Sequence, residues 1–268
     1  MDDVIKCIVL LLVAAMLPSL SVSADDEAVV YIKSSPSADC PADPCYTLSQ
    51  FATNQSQLQL NTTLLFLSGN HSLDSDIFIA DIDHFYMLTY PSTSLSLSIV
   101  QCLQNSSISV SNVTTILIHR LEFYGCGDNS ISSVDKLTVQ NCSFIGSESS
   151  GTALNVIRSN ADFINCSFLS NRIGTYHGPI WILAQQEEPS DDNFTAYAYI
   201  GGAMIANQSN ISIIGSKFNK NQAGVGGAIY STLGSQVSIT NSTVTENNVC
   251  LLQRQKKVFR LLWRCTFL

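Results

Sequence analysis

A short phrase of alternating apolar and polar residues recurs along the second half of the chain. In each copy two apolar residues lie two positions apart, followed by Asn or Gly, a mostly small polar pair and a large apolar residue. The three clearest copies are NADFINCSF at 160–168, NISIIGSKF at 210–218 and QVSITNSTV at 236–244. An alternation with a period of two predicts short β-strands with one buried face.

Looser copies at 115–123 and 136–144 extend the pattern and set its length. The large apolar residues of the copies are Phe123, Phe144, Phe168, Phe218 and Val244. Three of the intervals are 21, 24 and 26 residues, whereas Phe168 and Phe218 are 50 apart, which allows two periods or one period plus an insertion. A period in the twenties is typical of a solenoid, because a single coil cannot cover its own inner face. The Leu spacing of a leucine-rich repeat is missing, so the pattern predicts an all-β, parallel β-helix.

The first 24 residues have the features of a secretory signal peptide. Lys6 ends a short polar start, an apolar run covers 7–17, and small residues at 22–24 offer a cleavage site. We therefore expect a secreted, extracellular protein, with an uncleaved signal anchor as the alternative. No later stretch reaches the roughly 18 apolar residues of a membrane-spanning helix, so none is expected after signal removal.

Cysteine usage also indicates an oxidising compartment. Eight cysteines follow the signal region, and an even number in a secreted chain favours disulfides. Cys40 and Cys45 are close enough in sequence to close a small loop. Cys142 and Cys166 occupy the same place in adjacent copies of the phrase, where a strained bridge and a ladder of buried thiols both remain open.

Charge and sequons narrow the choice of partners. Residues 25–249 carry 19 acids and seven bases, which excludes charge-driven binding to nucleic acid or anionic lipid. The chain has 11 Asn-X-Ser/Thr sequons, which predict a glycosylated extracellular surface. They are at Asn54, Asn61, Asn70, Asn105, Asn112, Asn141, Asn165, Asn193, Asn207, Asn210 and Asn241.

We predict one β-helix domain at 25–249, with an N-terminal cap at about 25–57 and an insertion at about 173–200. The insertion concentrates aromatic residues that can stack on sugars or meet a protein. These candidate ligand contacts are Tyr176, His177, Trp181, Tyr197 and Tyr199. The alternative is a surface loop without a ligand.

Residues 250–268 depart from the pattern and carry five bases but no acid. A solenoid needs a closing element, and this segment contains no further copy of the phrase. We expect the sequence to be cut short within the solenoid. The alternative is a basic amphipathic helix that covers the open end.

The segment FNKNQAGVGGAI at 218–229 resembles the FxxN and GGA[ILV] repeats of the polymorphic outer membrane proteins. The mature chain is similar to extracellular β-helix proteins of the pectin-lyase-like superfamily, although the strict motif covers only about 201–247. This resemblance implies a single right-handed β-helix. It also implies adhesion in some members and polysaccharide cleavage in others, so it does not fix one activity.

The residues of the motif have physical roles. Adjacent glycines permit positive φ and close backbone approach, which we predict for Gly201, Gly202, Gly226 and Gly227. Asn tolerates the left-handed conformation, and its amide can bond an Asn one coil away. We predict turn and ladder roles, with the amide pointing inward and unglycosylated, for Asn141, Asn165 and Asn241, and glycans at Asn54, Asn61 and Asn193.

Candidate chemistry is sparse. The acids of the regular copies are spread over different coils, whereas glycoside hydrolysis needs two carboxylates at a set distance. These acids are Glu122, Asp135, Glu148, Asp162 and Glu246. We therefore expect no catalytic residue, metal or cofactor, and a non-enzymatic module for adhesion, matrix or ligand binding whose partner is an extracellular protein or carbohydrate. The alternative is a polysaccharide lyase or glycoside hydrolase that uses carboxylates near the insertion.

Overall fold

The computed structural model describes residues 27–54, 61–90, 97–104, 106–147, 152–172, 202–223, 226–232, 234–254 and 261–267. In these residues the chain is all-β apart from one short helix, α1 (Leu48–Asn54). In chain order the strands are β1 (Glu27–Lys33), β2 (Cys45–Thr47), β3 (Asn61–Leu67), β4 (Asn70–Leu73), β5 (Ile77–Tyr90), β6 (Ser98–Cys102), β7 (Ile108–His119), β8 (Leu121–Tyr124), β9 (Ser130–Gln140), β10 (Ser143–Ile145), β11 (Leu154–Ile157), β12 (Asn160–Ile164), β13 (Ser167–Leu169), β14 (Met204–Asn207), β15 (Asn210–Ile214), β16 (Lys217–Asn219), β17 (Gln222–Ala223), β18 (Ile229–Thr232), β19 (Gln236–Thr240), β20 (Thr243–Thr245), β21 (Asn248–Arg254) and β22 (Leu261–Phe267).

Parallel pairing between successive repeats builds the two larger sheets. A 12-stranded sheet runs from β18 to β1 and β2, with β12, β15 and β19 continuing from β9. A seven-stranded sheet runs from β20 to β4, and β17, β21 and β22 form a third sheet. Apart from β1 with β2 and the pairs that flank residues 173–201, strands of the larger sheets pair about one repeat away in sequence, which is compatible with a parallel β-helix.

The large apolar residues of the phrase superpose, as the sequence predicts. Phe123, Phe144, Phe168, Phe218 and Val244 are consecutive register partners in the seven-stranded sheet. The four phenylalanine rings stack face to face, with centroids 5.0, 4.9 and 4.7 Å apart. Their column is part of one continuous apolar core that extends from Val30 to Phe218.

The interval of 50 residues is one period plus an insertion. Phe163 pairs with Ile213 and Phe168 with Phe218, so the repeat at 152–172 lies directly against the repeat at 202–223. An isolated bridge between Arg172 and Gln222 continues the same register. Residues 173–201 therefore fall between two directly stacked repeats, although they lie outside the described residues.

The helix α1 covers the N-terminal end of the core. Its Leu48 and Phe51 are almost fully buried in the main cluster. It begins with a reciprocal capping box, in which the Thr47 hydroxyl accepts from the Gln50 N–H and the Gln50 side chain accepts from the Thr47 N–H. Residues 47–50, TLSQ, are the sequence signal for this helix, which the repeat pattern does not reveal.

A second apolar cluster lies on the outer face of the 12-stranded sheet. Its buried members, Tyr31, Leu65, Tyr86 and Leu117, lie on β1, β3, β5 and β7. Ala42 and Cys45 of the predicted disulfide loop pack against it. The first strands are therefore apolar on both faces, which explains their weak alternation in the sequence.

The described residues of the tail form two strands, and not the helix that was the alternative. Strand β21 pairs parallel with β17 at Asn248 and Val249, and it pairs antiparallel with β22 along its whole length. The antiparallel hairpin explains why the phrase stops here, because a chain that reverses cannot continue a parallel repeat.

Candidate functional site

The aromatic residues predicted to contact a ligand cannot be placed. Tyr176, His177, Trp181, Tyr197 and Tyr199 all lie outside the described residues, as do Asn193 and Gly201. The regular repeats are described, and their interior contains an ordered set of polar side chains.

Each regular repeat turns three times through a left-handed residue. In the repeat at 152–172 these residues are Arg158, Asn165 and Ser170, with φ between 47° and 55°. We name the three turns corner A, corner B and corner C, in that order. The residue after each left-handed residue points inward and is small and polar: Ser159, Cys166 and Asn171 are 4%, 1% and 0% exposed. Three polar columns therefore run through the apolar core.

The column at corner C is an asparagine ladder formed by Asn171, Asn221 and Asn247. The Asn221 Nδ2 donates to Phe168 O at 3.0 Å and to Asn247 Oδ1 at 2.8 Å. The Asn221 Oδ1 accepts from both the backbone N–H and Nδ2 of Asn171, at 3.1 and 2.9 Å. Ser147 opens the ladder by donating its N–H to Asn171 Oδ1. Each buried amide is thus satisfied by its neighbours, as buried polar groups must be.

The column at corner B combines thiols and hydroxyls. Ser216 Oγ donates to Ile214 O at 3.0 Å and accepts from the Cys166 N–H at 3.0 Å. Cys166 Sγ donates to Ile164 O at 3.4 Å, and Cys142 Sγ donates to Gln140 O at 3.3 Å. The two thiols therefore occupy the same structural position as Ser216.

The column at corner A consists of serines. Ser209 Oγ donates to Asn207 O at 2.8 Å and accepts from the Ser159 N–H at 3.2 Å. Ser235 Oγ in turn accepts from the Ser209 N–H at 3.1 Å. All three corners of the repeat thus use one arrangement, a side chain that links its own turn to the neighbouring repeat.

The predicted inward ladder of Asn141, Asn165 and Asn241 is wrong in its direction. These residues do adopt the predicted left-handed turns, with φ of 53°, 52° and 50°. However, Asn165 and Asn241 are exposed and Asn141 is half-buried, so their side chains lie outside the core. The left-handed residue and the residue before it both face outward, which shifts the inward position by one. The Asn residues three positions after Phe168, Phe218 and Val244 are the sequence signal for the ladder.

Three sequons follow from this turn pattern. At corner B an Asn suits the left-handed position, a small polar residue suits the inward position, and a Ser or Thr begins the next strand facing outward. Asn141, Asn165 and Asn241 are sequons for that reason. Gly215 takes the same left-handed position without forming one, at φ 60°.

The glycines of the GGA motif allow close contact between repeats. A Cβ on Gly202 would collide with Gly227 O, and a Cβ on Gly227 would collide with Asn248 O. Gly226 has φ of 64°, where a side chain is strained. The predicted roles of these three glycines agree with the backbone geometry.

Of the six cysteines whose side chains the structure describes, four form disulfides and two are free thiols. Cys40 is bonded to Cys45, and Cys102 to Cys126 with Cα atoms 4.9 Å apart. Cys126 is one residue beyond the register partner of Cys102, because Gln101 pairs with Tyr124.

Cys142 and Cys166, by contrast, are free and buried, and they lie directly before the paired residues Ser143 and Ser167. Of the two possibilities left open by the sequence, the thiol ladder is the one present. Burial raises the pKa of the Cys142 thiol far above its usual range and that of Cys166 to about 11.

The outward acids lie on different surfaces. Glu122 is on β8 of the seven-stranded sheet, Asp162 is on β12 of the 12-stranded sheet, and Glu246 forms an exposed ion pair with Lys220 at 3.7 Å. Within the described ranges, no three His, Cys, Asp or Glu side chains are placed to hold a metal ion.

The predicted glycan sites differ in their surroundings. Asn54, at the end of α1, is exposed. Asn61 is half-buried, and its Oδ1 accepts from the N–H groups of Asp83 and His84 at 3.0 and 2.9 Å. Glycosylation at these positions stays a prediction.

No helix in the described ranges has the length and hydropathy needed to span a membrane.

Comparison with protein-family models, with curated proteins and with solved structures finds no match to this chain.

Proposed function

We propose that this chain is a secreted, glycosylated, single right-handed β-helix of the pectin-lyase-like kind, which serves as a non-enzymatic extracellular module for adhesion, matrix or ligand binding. The observation that carries the proposal is the mutual satisfaction of the polar columns inside the stack. Asn221 uses both sides of its amide on neighbouring repeats, and Ser216 and Ser209 use their hydroxyls in the same way. These polar groups hold repeats together and are not directed at a ligand.

Secretion is supported by the disulfides and by the N-terminal sequence. Disulfides persist in oxidising compartments, and both Cys40–Cys45 and Cys102–Cys126 are present. The apolar run at 7–17 has the length of a signal-peptide core. A stack held by interior ladders and disulfides suits a rigid extracellular display scaffold.

A scaffold role is favoured over catalysis by the placement of the acids. Glycosidases of the two-carboxylate kind hold their carboxyl groups about 5 to 9.5 Å apart across the scissile bond. Glu122 and Asp162 point outward from different sheets, and Glu246 is paired with Lys220. One fold hosts many functions, so the positions of these acidic side chains, and not the fold, distinguish a scaffold from an enzyme.

The test is expression of the full chain in a eukaryotic secretory host, followed by assays of the purified protein. We expect a secreted protein whose apparent mass falls on treatment with peptide N-glycosidase F, and which binds immobilised matrix glycans or proteins without cleaving them. The substrates for the cleavage assay are polygalacturonate and alginate, with and without Ca²⁺.

The control for the cleavage assay is the double variant Asp191→Asn/Asp192→Asn, which removes two acids of the insertion. Release of unsaturated uronides or new reducing ends by the wild type but not by this variant would establish the enzyme. Retention of the protein inside the cell without glycan would contradict the proposed localisation.

A further inference from the structure

Five of the nine sequons in the described residues form two groups according to what their side-chain amides contact. Asn112 Nδ2 donates to Asp81 Oδ1 at 3.1 Å, and Asn210 Nδ2 donates to Asn160 Oδ1 at 3.0 Å. Asn165 Nδ2 points to Asn141 Oδ1 at 3.5 Å. In each case the amide nitrogen is directed along the stack at a side chain of the preceding repeat.

A glycan on such a nitrogen conflicts with the stack. Neighbouring parallel strands are only about 4.8 Å apart. A sugar attached to an amide that points at the preceding repeat would therefore collide with that repeat. Asn165 is the most confined of the three. A Cβ on the following rung, Gly215, would lie 2.5 Å from the Asn165 Oδ1, so the Asn165 side chain already covers the space above Gly215.

Asn70 and Asn241 have different surroundings. All five side chains are exposed, but those of Asn70 and Asn241 make no hydrogen bond to another described group, unlike those of Asn112, Asn165 and Asn210. Asn70 opens β4, the terminal strand of the seven-stranded sheet, so a strand neighbours it on one side only. Asn241 follows Gly215 in the corner B column, and Gly215 has no side chain to contact it.

The hydroxyl residues of these two sequons are equally accessible. Ser72 and Thr243 are both exposed at outward positions of their strands. In both sequons the two groups that define an N-glycosylation acceptor are therefore free of the stack.

We propose that Asn70 and Asn241 carry N-linked glycans in the secreted protein, and that Asn112, Asn165 and Asn210 remain unmodified in the folded secreted pool. This inference rests on the proposed secretion. Both glycan sites lie next to corner B, at opposite ends of the seven-stranded sheet, where an attached oligosaccharide extends into solvent. This inference replaces the expectation that all three corner B asparagines are alike.

The experiment is site mapping on the wild-type protein secreted from a eukaryotic host with its own N-terminal sequence. Tryptic glycopeptides are treated with peptide N-glycosidase F in ¹⁸O-water, which releases the glycan and marks each formerly glycosylated Asn as a heavy Asp. The result expected is the heavy label at Asn70 and Asn241 and its absence at Asn112, Asn165 and Asn210. In a second measurement, Asn70→Gln and Asn241→Gln should each lower the apparent mass by one glycan, whereas Asn165→Gln should leave it unchanged.

The outcomes separate this inference from the proposed function. Label at Asn112, Asn165 or Asn210, or label at other sequons but not at Asn70 and Asn241, overturns the inference and leaves secretion intact. Absence of label at every sequon overturns both. Because the mapping uses the wild-type chain, the answer does not depend on whether a variant folds.

Discussion

Asn171 donates its backbone N–H and its side-chain Nδ2 to one atom, the Oδ1 of Asn221, at 3.1 and 2.9 Å. The two residues are 50 positions apart in sequence and adjacent in space. This double hydrogen bond joins the repeats on either side of the insertion. It is repeated between Asn221 and Asn247, so the ladder fixes the register of three successive repeats.

Substitution Asn221→Ala should therefore destabilise the protein strongly. It removes the acceptor for Asn171 and the donor to Phe168 O, and it leaves these buried groups unsatisfied. Each unsatisfied group costs about 1–3 kcal/mol, so we expect a loss of more than about 3 kcal/mol in the free energy of unfolding. Urea denaturation monitored by circular dichroism measures it.

The matched control is Asn219→Ala, two residues away on the outer face of β16. The Asn219 Nδ2 donates to Thr245 at the surface, where water can replace the bond. We expect a change within about 1 kcal/mol. Equal losses in the two variants would show that the ladder has no special role.

The phenylalanine column predicts a second large effect. Phe168 is fully buried between Phe144 and Phe218, whose rings are 4.9 and 4.7 Å away. Phe168→Ala should cost about 3–5 kcal/mol, because it leaves a cavity in the centre of the stack. Phe78→Ala, at a side chain that is 61% exposed, is the control and should cost less than about 1 kcal/mol. Thermal unfolding of both variants distinguishes a packed column from a chance alignment.

The thiol at position 166 should be exchangeable for a hydroxyl. Cys166 Sγ donates to Val139 O and Ile164 O, and Ser216 makes the corresponding bonds one repeat later. Cys166→Ser should therefore change the unfolding free energy by less than about 1 kcal/mol, whereas Cys166→Ala should cost about 1–3 kcal/mol. A larger loss for Ser than for Ala would contradict the equivalence of the two positions.

The two free thiols, Cys142 and Cys166, should resist alkylation in the native protein. Burial raises the pKa of Cys166 to about 11, so almost no thiolate is present at pH 8, and the side chain is only 1% exposed. Iodoacetamide should modify Cys142 and Cys166 only after unfolding, as read by peptide mass. Rapid modification under native conditions would place these thiols outside the core.

Burial of His71 predicts a loss of stability in mild acid. Desolvation lowers the pKa of His71, whose Nε2 lies 2.7 Å from Leu67 O inside the fold. The unfolded chain has an ordinary His pKa near about 6.5. As the pH falls below that value, the unfolded state therefore binds a proton that the native state does not, and stability falls until the lowered native pKa is passed.

His71→Gln, which keeps a donor for Leu67 O, should make the decline in unfolding free energy between neutral pH and pH 5 shallower. The measurement is urea denaturation at a series of pH values. An unchanged slope would mean that His71 does not contribute to it.

Sequence reasoning located the repeat but not all of its interior. Phe123, Phe144, Phe168 and Phe218 were predictable because a large apolar residue stands out in a polar phrase. A strict period of two predicts that Asn165 points inward. The left-handed residue breaks this period, because two successive side chains face outward there, so Asn165 is exposed and Asn171 is buried. The signal was the Asn three residues after Phe168, Phe218 and Val244.

Two other features depend on tertiary contacts. The outer cluster of Tyr31, Leu65 and Tyr86 forms because residues of the loop closed by Cys40 and Cys45 pack against it. No local sequence pattern predicts this contact. Strand β21 pairs parallel with β17 on one side and antiparallel with β22 on the other, and this mixed pairing depends on contacts between distant segments.

The most direct test of the stacked repeats is a distance between spin labels at Tyr124→Cys and Thr245→Cys. These outward residues are register partners through Ile145, Leu169 and Asn219, so four repeat steps separate them. In a background with Ser at positions 142, 166, 250 and 265 in place of Cys, double electron–electron resonance should give one narrow distance of about 19 Å, four spacings of about 4.8 Å. A broad distribution, or a distance of about 30 Å or more, would contradict the direct stacking of the repeats across the insertion.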